Sequence, residues 1–125
     1  MAITKEKAIN FLSNLEGYHA QLKLIHWSTD NHSKHLLTDE LDDCVLDCED
    51  SVAENVMGIL GEKISEGLKT LLPNNKELRG LLSELEEDVL NFRDECDDRK
   101  ETGLINILDD MLTNINKYKF LETLS

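Results

Sequence analysis

Hydrophobic residues recur at intervals of three and four along almost the whole chain, which is the spacing of one face of an α-helix. Only one proline and six glycines interrupt this pattern. It predicts four main helices: one over about 4–27, one over about 32–60, one with hydrophobic residues from Leu78 to Cys96, and one over about 102–121. Short connections make neighbouring helices antiparallel, so we expect an all-α four-helix bundle. The 125 residues suit one domain, spanning 1–125.

Residues between the second and third helices carry further signals. Gly61 is typical of a helix stop. Hydrophobic residues within 62–72 predict a short extra helix, which Pro73 would end. Asn74 and Glu77 then resemble a capping box in front of the third helix.

The second helix has two hydrophobic faces. On a helical wheel that places His35 at 0°, its core-facing residues fall between about 180° and 300°. They are Leu37, Leu41, Cys44, Val45, Cys48, Val52, Val56 and Ile59. Leu46, Ala53 and Met57 lie on the opposite face, among polar residues. A second, partly apolar face is usually buried against something else, here most simply a partner subunit.

Potential metal ligands share that opposite face. Relative to His35, the side chains of Asp39, Asp50 and Glu54 project at about 40°, 60° and 100°. A further histidine, His26, precedes the helix. Iron and manganese accept this mixture of imidazole and carboxylate ligands, so the stripe indicates a metal site.

The length of this stripe restricts how a site can form. Asp39 and Asp50 are eleven residues apart, or roughly 16 Å along a helix, which is too far for one ion or a close pair of ions. Two antiparallel copies of the helix across a two-fold axis would place His35 and Asp39 of one chain against Asp50 and Glu54 of the other. We therefore expect two identical sites shared between the subunits of a dimer.

The chain is strongly acidic, with 26 acidic and 13 basic residues and a formal net charge of -13. This charge opposes binding to nucleic acid and to anionic lipid surfaces. No stretch has the length and hydropathy of a membrane span, and the first residues lack the apolar stretch of a signal peptide. We expect a cytoplasmic protein that binds neither membranes nor DNA.

The three cysteines, Cys44, Cys48 and Cys96, form no zinc-type motif. Their odd number, without an export signal, predicts reduced thiols. Cys44 and Cys48 fall on the core-facing side of the second helix. We interpret them as small buried side chains, and a redox or soft-metal role is the alternative.

Residues 23–54 resemble the signature of the mini-ferritins called Dps, the DNA-binding proteins from starved cells, within the ferritin-like superfamily. That signature begins with a lysine, two further residues and then His-Trp, here Lys23, His26 and Trp27. Its remaining ligand offsets are matched by His35, Asp39, Asp50 and Glu54. The resemblance implies a ferritin-like four-helix bundle with a short extra helix between its second and third helices.

The resemblance also implies a function. In that family the corresponding residues form a ferroxidase site at a two-fold interface, and twelve subunits make a hollow shell. The shell oxidises ferrous iron with hydrogen peroxide or oxygen and stores ferric mineral. His26, His35 and Asp39 would come from one subunit, and Asp50 and Glu54 from its mate. Manganese or zinc could replace iron at such a site.

Three features depart from the family pattern. The loop between His26 and His35 is three residues shorter than usual, and Asn55 replaces a common arginine. The chain also lacks the basic terminal tail with which many members bind DNA, so we expect no DNA binding. The alternative function is a non-enzymatic four-helix protein that binds divalent metal or serves as an assembly module.

Overall fold

The computed structural model describes residues 2–125, which contain four α-helices and no strand. The helices are α1 (Lys5–Ser28), α2 (His32–Leu60), α3 (Leu78–Asp94) and α4 (Thr102–Glu122). The predicted all-α four-helix bundle is thus confirmed. α1 and α4 each pack against both α2 and α3, so α1 and α4 lie at opposite corners of the bundle. Within residues 2–125, none of the helices combines the length and hydropathy needed to cross a membrane.

One cluster of buried side chains from all four helices forms the core. Its most deeply buried large residues include Tyr18, Leu41, Leu85 and Ile115, each at most 1% exposed. Burying such a side chain contributes about 1.5–3 kcal/mol. The predicted core face of α2 is correct except at its end, where Ile59 is 38% exposed.

Local signals set the ends of the first two helices. Thr4 caps α1 by accepting a hydrogen bond from the Lys7 amide, and Asn31 caps α2 by accepting one from the Lys34 amide. α2 ends at Gly61, whose φ of 66° lies in the left-handed region that glycine adopts without steric strain. The predicted stop at Gly61 is therefore confirmed.

The connection from α2 to α3 lies against α1 and contains no helix, so the predicted short helix is not confirmed. The Lys69 amide donates to the Ser13 hydroxyl at 3.0 Å, and the Leu71 amide donates to the Ser13 carbonyl at 3.1 Å. A Cβ atom on Gly17 would lie only 1.7 Å from the Leu71 carbonyl oxygen. Because these backbone groups bond to α1 instead of to one another, the segment stays irregular.

The start of α3 also differs from the prediction. Glu77 is the N-cap residue but makes no capping hydrogen bond with its side chain, so the capping box is wrong. The amides of Asn74 and Asn75 instead donate to the Glu84 carboxylate, each at 2.9 Å. These bonds hold the end of the connection against the first turns of α3.

The long connection determines the direction of the helices. The Gln21 amide group donates to the Lys76 carbonyl, so α3 begins beside the C-terminal half of α1. Phe92, near the end of α3, stacks on Phe11 with the ring centroids 4.4 Å apart. α3 is therefore antiparallel to α1 and parallel to α2, and the bundle has one long crossover, between α2 and α3.

Candidate metal site

Two of the predicted ligands, His26 and His35, meet where α1 turns into α2. Their rings are stacked, with centroids 3.8 Å apart. His26 Nδ1 lies 2.6 Å from the His35 carbonyl oxygen, and His35 Nδ1 lies 2.8 Å from the His26 carbonyl oxygen. This reciprocal pair of hydrogen bonds joins the last turn of α1 to the first turn of α2.

These bonds determine which nitrogen of each ring remains available. A carbonyl oxygen can only accept a hydrogen bond, so Nδ1 carries the proton in both rings. In a neutral ring, Nε2 then keeps its lone pair. Histidines that bind metals commonly have their other nitrogen fixed by a backbone carbonyl in this way. Both Nε2 atoms of the pair are thus available to bind a metal ion.

A buried threonine supports the histidine pair. Thr38 is fully buried, and its hydroxyl oxygen lies 3.3 Å from His26 Nδ1. The same hydroxyl is within hydrogen-bond distance of the Lys34 and His35 carbonyl oxygens. Thr38 lies one turn after Lys34 on the α1-facing side of α2. Nothing in the sequence indicated its contact with His26.

The three predicted carboxylate ligands, Asp39, Asp50 and Glu54, are exposed on α2. None of them forms an ion pair within residues 2–125. Asp39 follows His35 by one helical turn, whereas Asp50 lies roughly 16 Å farther along the helix. Among residues 2–125, no group of three or more His, Cys, Asp or Glu side chains is arranged to hold a metal ion.

One chain therefore contains two separate sets of candidate ligands. We call His26, His35 and Asp39 the histidine half-site, and Asp50 and Glu54 the carboxylate half-site. The structure brings the two histidines together but leaves the two half-sites apart.

An open groove of about 580 Å³ lies beside the carboxylate half-site, between α1, α2 and the connection. Its lining includes Leu46, Asp50, Ala53 and Met57 from α2, and Leu68 from the connection. Leu46 is 37% exposed and Leu68 is 50% exposed. The second, partly apolar face predicted for α2 thus lies at the protein surface.

An acidic pair beside this groove was not predicted from the sequence. Glu49, the neighbour of Asp50, lies against α1, where it comes within hydrogen-bonding range of the Glu16 carboxyl group. Burial, the hydrogen bond with Glu16 and the charges of Glu16, Asp50 and Asp42 together raise the pKa of Glu49 to about 8. Glu49 Oε1 is buried and has no hydrogen-bond donor among the described residues.

Three residues near the half-sites were not predicted as ligands: His19, Trp27 and Asp43. His19 Nδ1 bonds to Asp42 at 2.7 Å, which joins α1 to α2. Trp27 is 69% exposed, with Lys23 Nζ 5.8 Å from its ring centroid. Asp43, one turn after Asp39, is also exposed on the ligand face, and its spacing could have identified it from the sequence.

Comparison with known proteins identifies a family without identifying an activity. No curated protein and no solved structure matches the chain. A family model matches residues 26–121, a span that covers most of the chain and includes all five candidate ligands. The chain therefore belongs to DUF5856, a family of unknown function.

Proposed function

We propose that this protein is a ferroxidase of the ferritin-like type, which oxidises ferrous iron and stores the ferric product as an assembly of identical subunits. The observation that carries the proposal is the division of five suitable ligands into two half-sites, one at the α1–α2 turn and one farther along the same face of α2. Neither half-site has enough ligands to hold a pair of ions by itself. Two antiparallel copies of α2 would bring the histidine half-site of one subunit to the carboxylate half-site of the other.

The side chains suit ferrous iron as the substrate. Asp50 and Glu54 would hold one ferrous ion together with His26, while His35 and Asp39 would hold a second, with Glu54 available to both. Oxidation adds one positive charge to each ion, and the carboxylates offset that charge. The two ferrous ions lose one electron each. Hydrogen peroxide takes up both electrons and two protons and leaves as two water molecules.

The fold supports this proposal in two ways. Ferritin-like bundles have one long crossover connection, as this bundle has between α2 and α3. The groove beside Asp50 also offers apolar surface, including Leu46 and Met57, that a two-fold partner could cover. A shell of twelve subunits would have a solution mass of about twelve times 14.3 kDa.

The test is rapid iron oxidation after anaerobic loading. The protein is titrated with ferrous iron and then mixed with hydrogen peroxide, and the ferric product is followed by its absorbance. We expect two irons per subunit to be oxidised rapidly. The double variant Asp50→Asn/Glu54→Gln, which keeps side-chain shape, should oxidise iron at least about 100-fold more slowly, since it loses two direct ligands.

The matched control is Glu87→Gln/Asp94→Asn, which makes the same charge change at two exposed positions of α3. It should oxidise iron at the wild-type rate. Unchanged oxidation by Asp50→Asn/Glu54→Gln would reject the site. Tight metal binding by the wild type without faster oxidation would favour the non-enzymatic alternative.

A further inference from the structure

A sulfur-lined pocket between α2 and α4 lies outside the proposed ferroxidase site. Cys44 and Cys48 stand one turn apart on α2, and Met111 faces them from α4; all three line a pocket of about 190 Å³. Cys48 is 6% exposed and Met111 is 2% exposed, whereas Cys44 is only half-buried. The fold thus collects three sulfur side chains from two helices around one small space that is open on one side.

The spacing of the two cysteines excludes a disulfide in the intact helix. Helical residues four apart have Cβ atoms about 5–6 Å apart, whereas a disulfide requires about 3.8 Å. Two thiolates that bind one metal ion at about 2.3 Å each can be up to about 4.6 Å apart. Cys44 and Cys48 can reach that separation by side-chain rotation alone, so their spacing suits a shared metal ion.

We propose that Cys44, Cys48 and Met111 form a binding site for a soft monovalent metal ion, Cu(I). Thiolate and thioether ligands select Cu(I) over harder cations such as magnesium or manganese. Asp47 and Asp110 line the same pocket, and their negative charges favour the entry of a cation.

The surroundings of Cys44 contribute to this site. The Tyr118 hydroxyl lies 3.8 Å from Cys44 Sγ, and it can donate a hydrogen bond to the sulfur. Such a bond orients a ligand and stabilises its thiolate form. Cys48 is buried, so its thiol keeps a proton until a metal ion displaces it.

Cys96 provides a matched control within the same chain. It is buried like Cys48, but it follows the end of α3 and its thiol donates to the Phe92 carbonyl oxygen at 3.6 Å. It does not line the pocket between α2 and α4. Cys96→Ala should therefore change the thiol content and the core without changing the metal site.

The experiment is an anaerobic titration of the whole protein with Cu(I) in competition with the chelator bathocuproine disulfonate. We expect wild type and Cys96→Ala to bind one ion each, with ultraviolet thiolate-to-copper charge-transfer absorption. Cys44→Ala/Cys48→Ala should bind at least about 100-fold more weakly and lose that absorption. Met111→Leu, which keeps the core filled, should bind about tenfold more weakly.

A second measurement uses only the wild-type protein, in case a variant does not fold. Cu(I) should slow the alkylation of Cys44 and leave that of Cys96 unchanged, as measured by peptide mass spectrometry. The proposal is overturned if Cu(I) protects all three thiols equally, if the Cys44→Ala/Cys48→Ala protein binds like wild type, or if Zn(II) binds in preference to Cu(I). Asp50→Asn/Glu54→Gln should bind Cu(I) normally, so the outcome is independent of the ferroxidase proposal.

Discussion

The two ends of the ligand stripe on α2 differ in whether their polar groups find partners within the chain. At the α1–α2 turn, the rings of His26 and His35 each donate to the backbone of the other residue. Farther along the helix, Asp50 and Glu54 are exposed and have no ion-pair partner within residues 2–125, and Glu49 has a buried oxygen without a donor in the same range. A single chain thus builds the histidine half-site by folding, whereas the carboxylate half-site has its ligands free for a partner.

The largest effect is expected when the two half-sites are disabled in different chains. His26→Asn/His35→Asn removes both Nε2 atoms and keeps a donor near each Nδ1 position, so the turn should still form. This variant and Asp50→Asn/Glu54→Gln should each be inactive alone. When they are co-expressed, half of the dimers are mixed and each mixed dimer has one intact site, so about a quarter of the wild-type oxidation rate should return.

The expected recovery distinguishes a shared site from a site within one subunit. If all ligands came from the same chain, co-expression would produce no active site at all. A mixture that contains verified mixed dimers and still oxidises iron no faster than buffer would therefore contradict the intersubunit arrangement. The solution mass of the mixture and its far-ultraviolet circular dichroism establish that both variants fold and assemble.

The second prediction concerns the surface that would bring the half-sites together. Leu46, in the groove beside Asp50, and Leu90, on α3, are both 37% exposed. Leu46→Glu should place a charge in the two-fold contact and shift the assembly toward monomers, because an unpaired buried charge is strongly unfavourable. Leu90→Glu should leave the solution mass unchanged. Dissociation by Leu90→Glu but not by Leu46→Glu would place the contact on α3.

The stripe itself could be predicted from the sequence because it depends only on the geometry of one helix. His35, Asp39, Asp50 and Glu54 share a face wherever that helix packs. The contact between His26 and His35 could not be predicted, since it depends on the angle that the three residues 29–31 impose between α1 and α2. Hydrophobic periodicity predicted the core, but it carries no information on polar pairs such as His26 and His35.

The connection after α2 was wrongly predicted for a related reason. Its leucines have helical spacing, but its backbone partners, such as Ser13, and the small surface of Gly17 lie about fifty residues earlier in the chain. Long-range backbone contacts of this kind override local propensity. The same limitation hid the Glu16–Glu49 pair, which exists only because α1 and α2 are neighbours.

That acidic pair gives the carboxylate end of α2 a dependence on pH. Burial, the Glu16 carboxyl group and the charges of Asp50 and Asp42 together raise the pKa of Glu49 from 4.5 to about 8. Glu66, from the connection, lines the same groove and adds another carboxylate. Because the folded pKa is higher than the unfolded one, the contribution of Glu49 to stability is fully present below about pH 4.5 and is lost as the pH rises through about 8.

The smallest predicted effect is on the free energy of unfolding, and it follows from the direction of this pH dependence. Glu49→Gln cannot ionise, so it should be more stable than wild type by about 1 kcal/mol above about pH 8, a value kept small by the solvent access that Glu49 retains. The difference should shrink toward about pH 4.5, where wild-type Glu49 is protonated in both states. Urea unfolding at several pH values measures it, with Glu87→Gln as the exposed control. A stability difference that is constant across this range, or that grows at low pH, would mean that Glu49 is already satisfied as a carboxylate, and the contrast between the two ends of α2 would disappear.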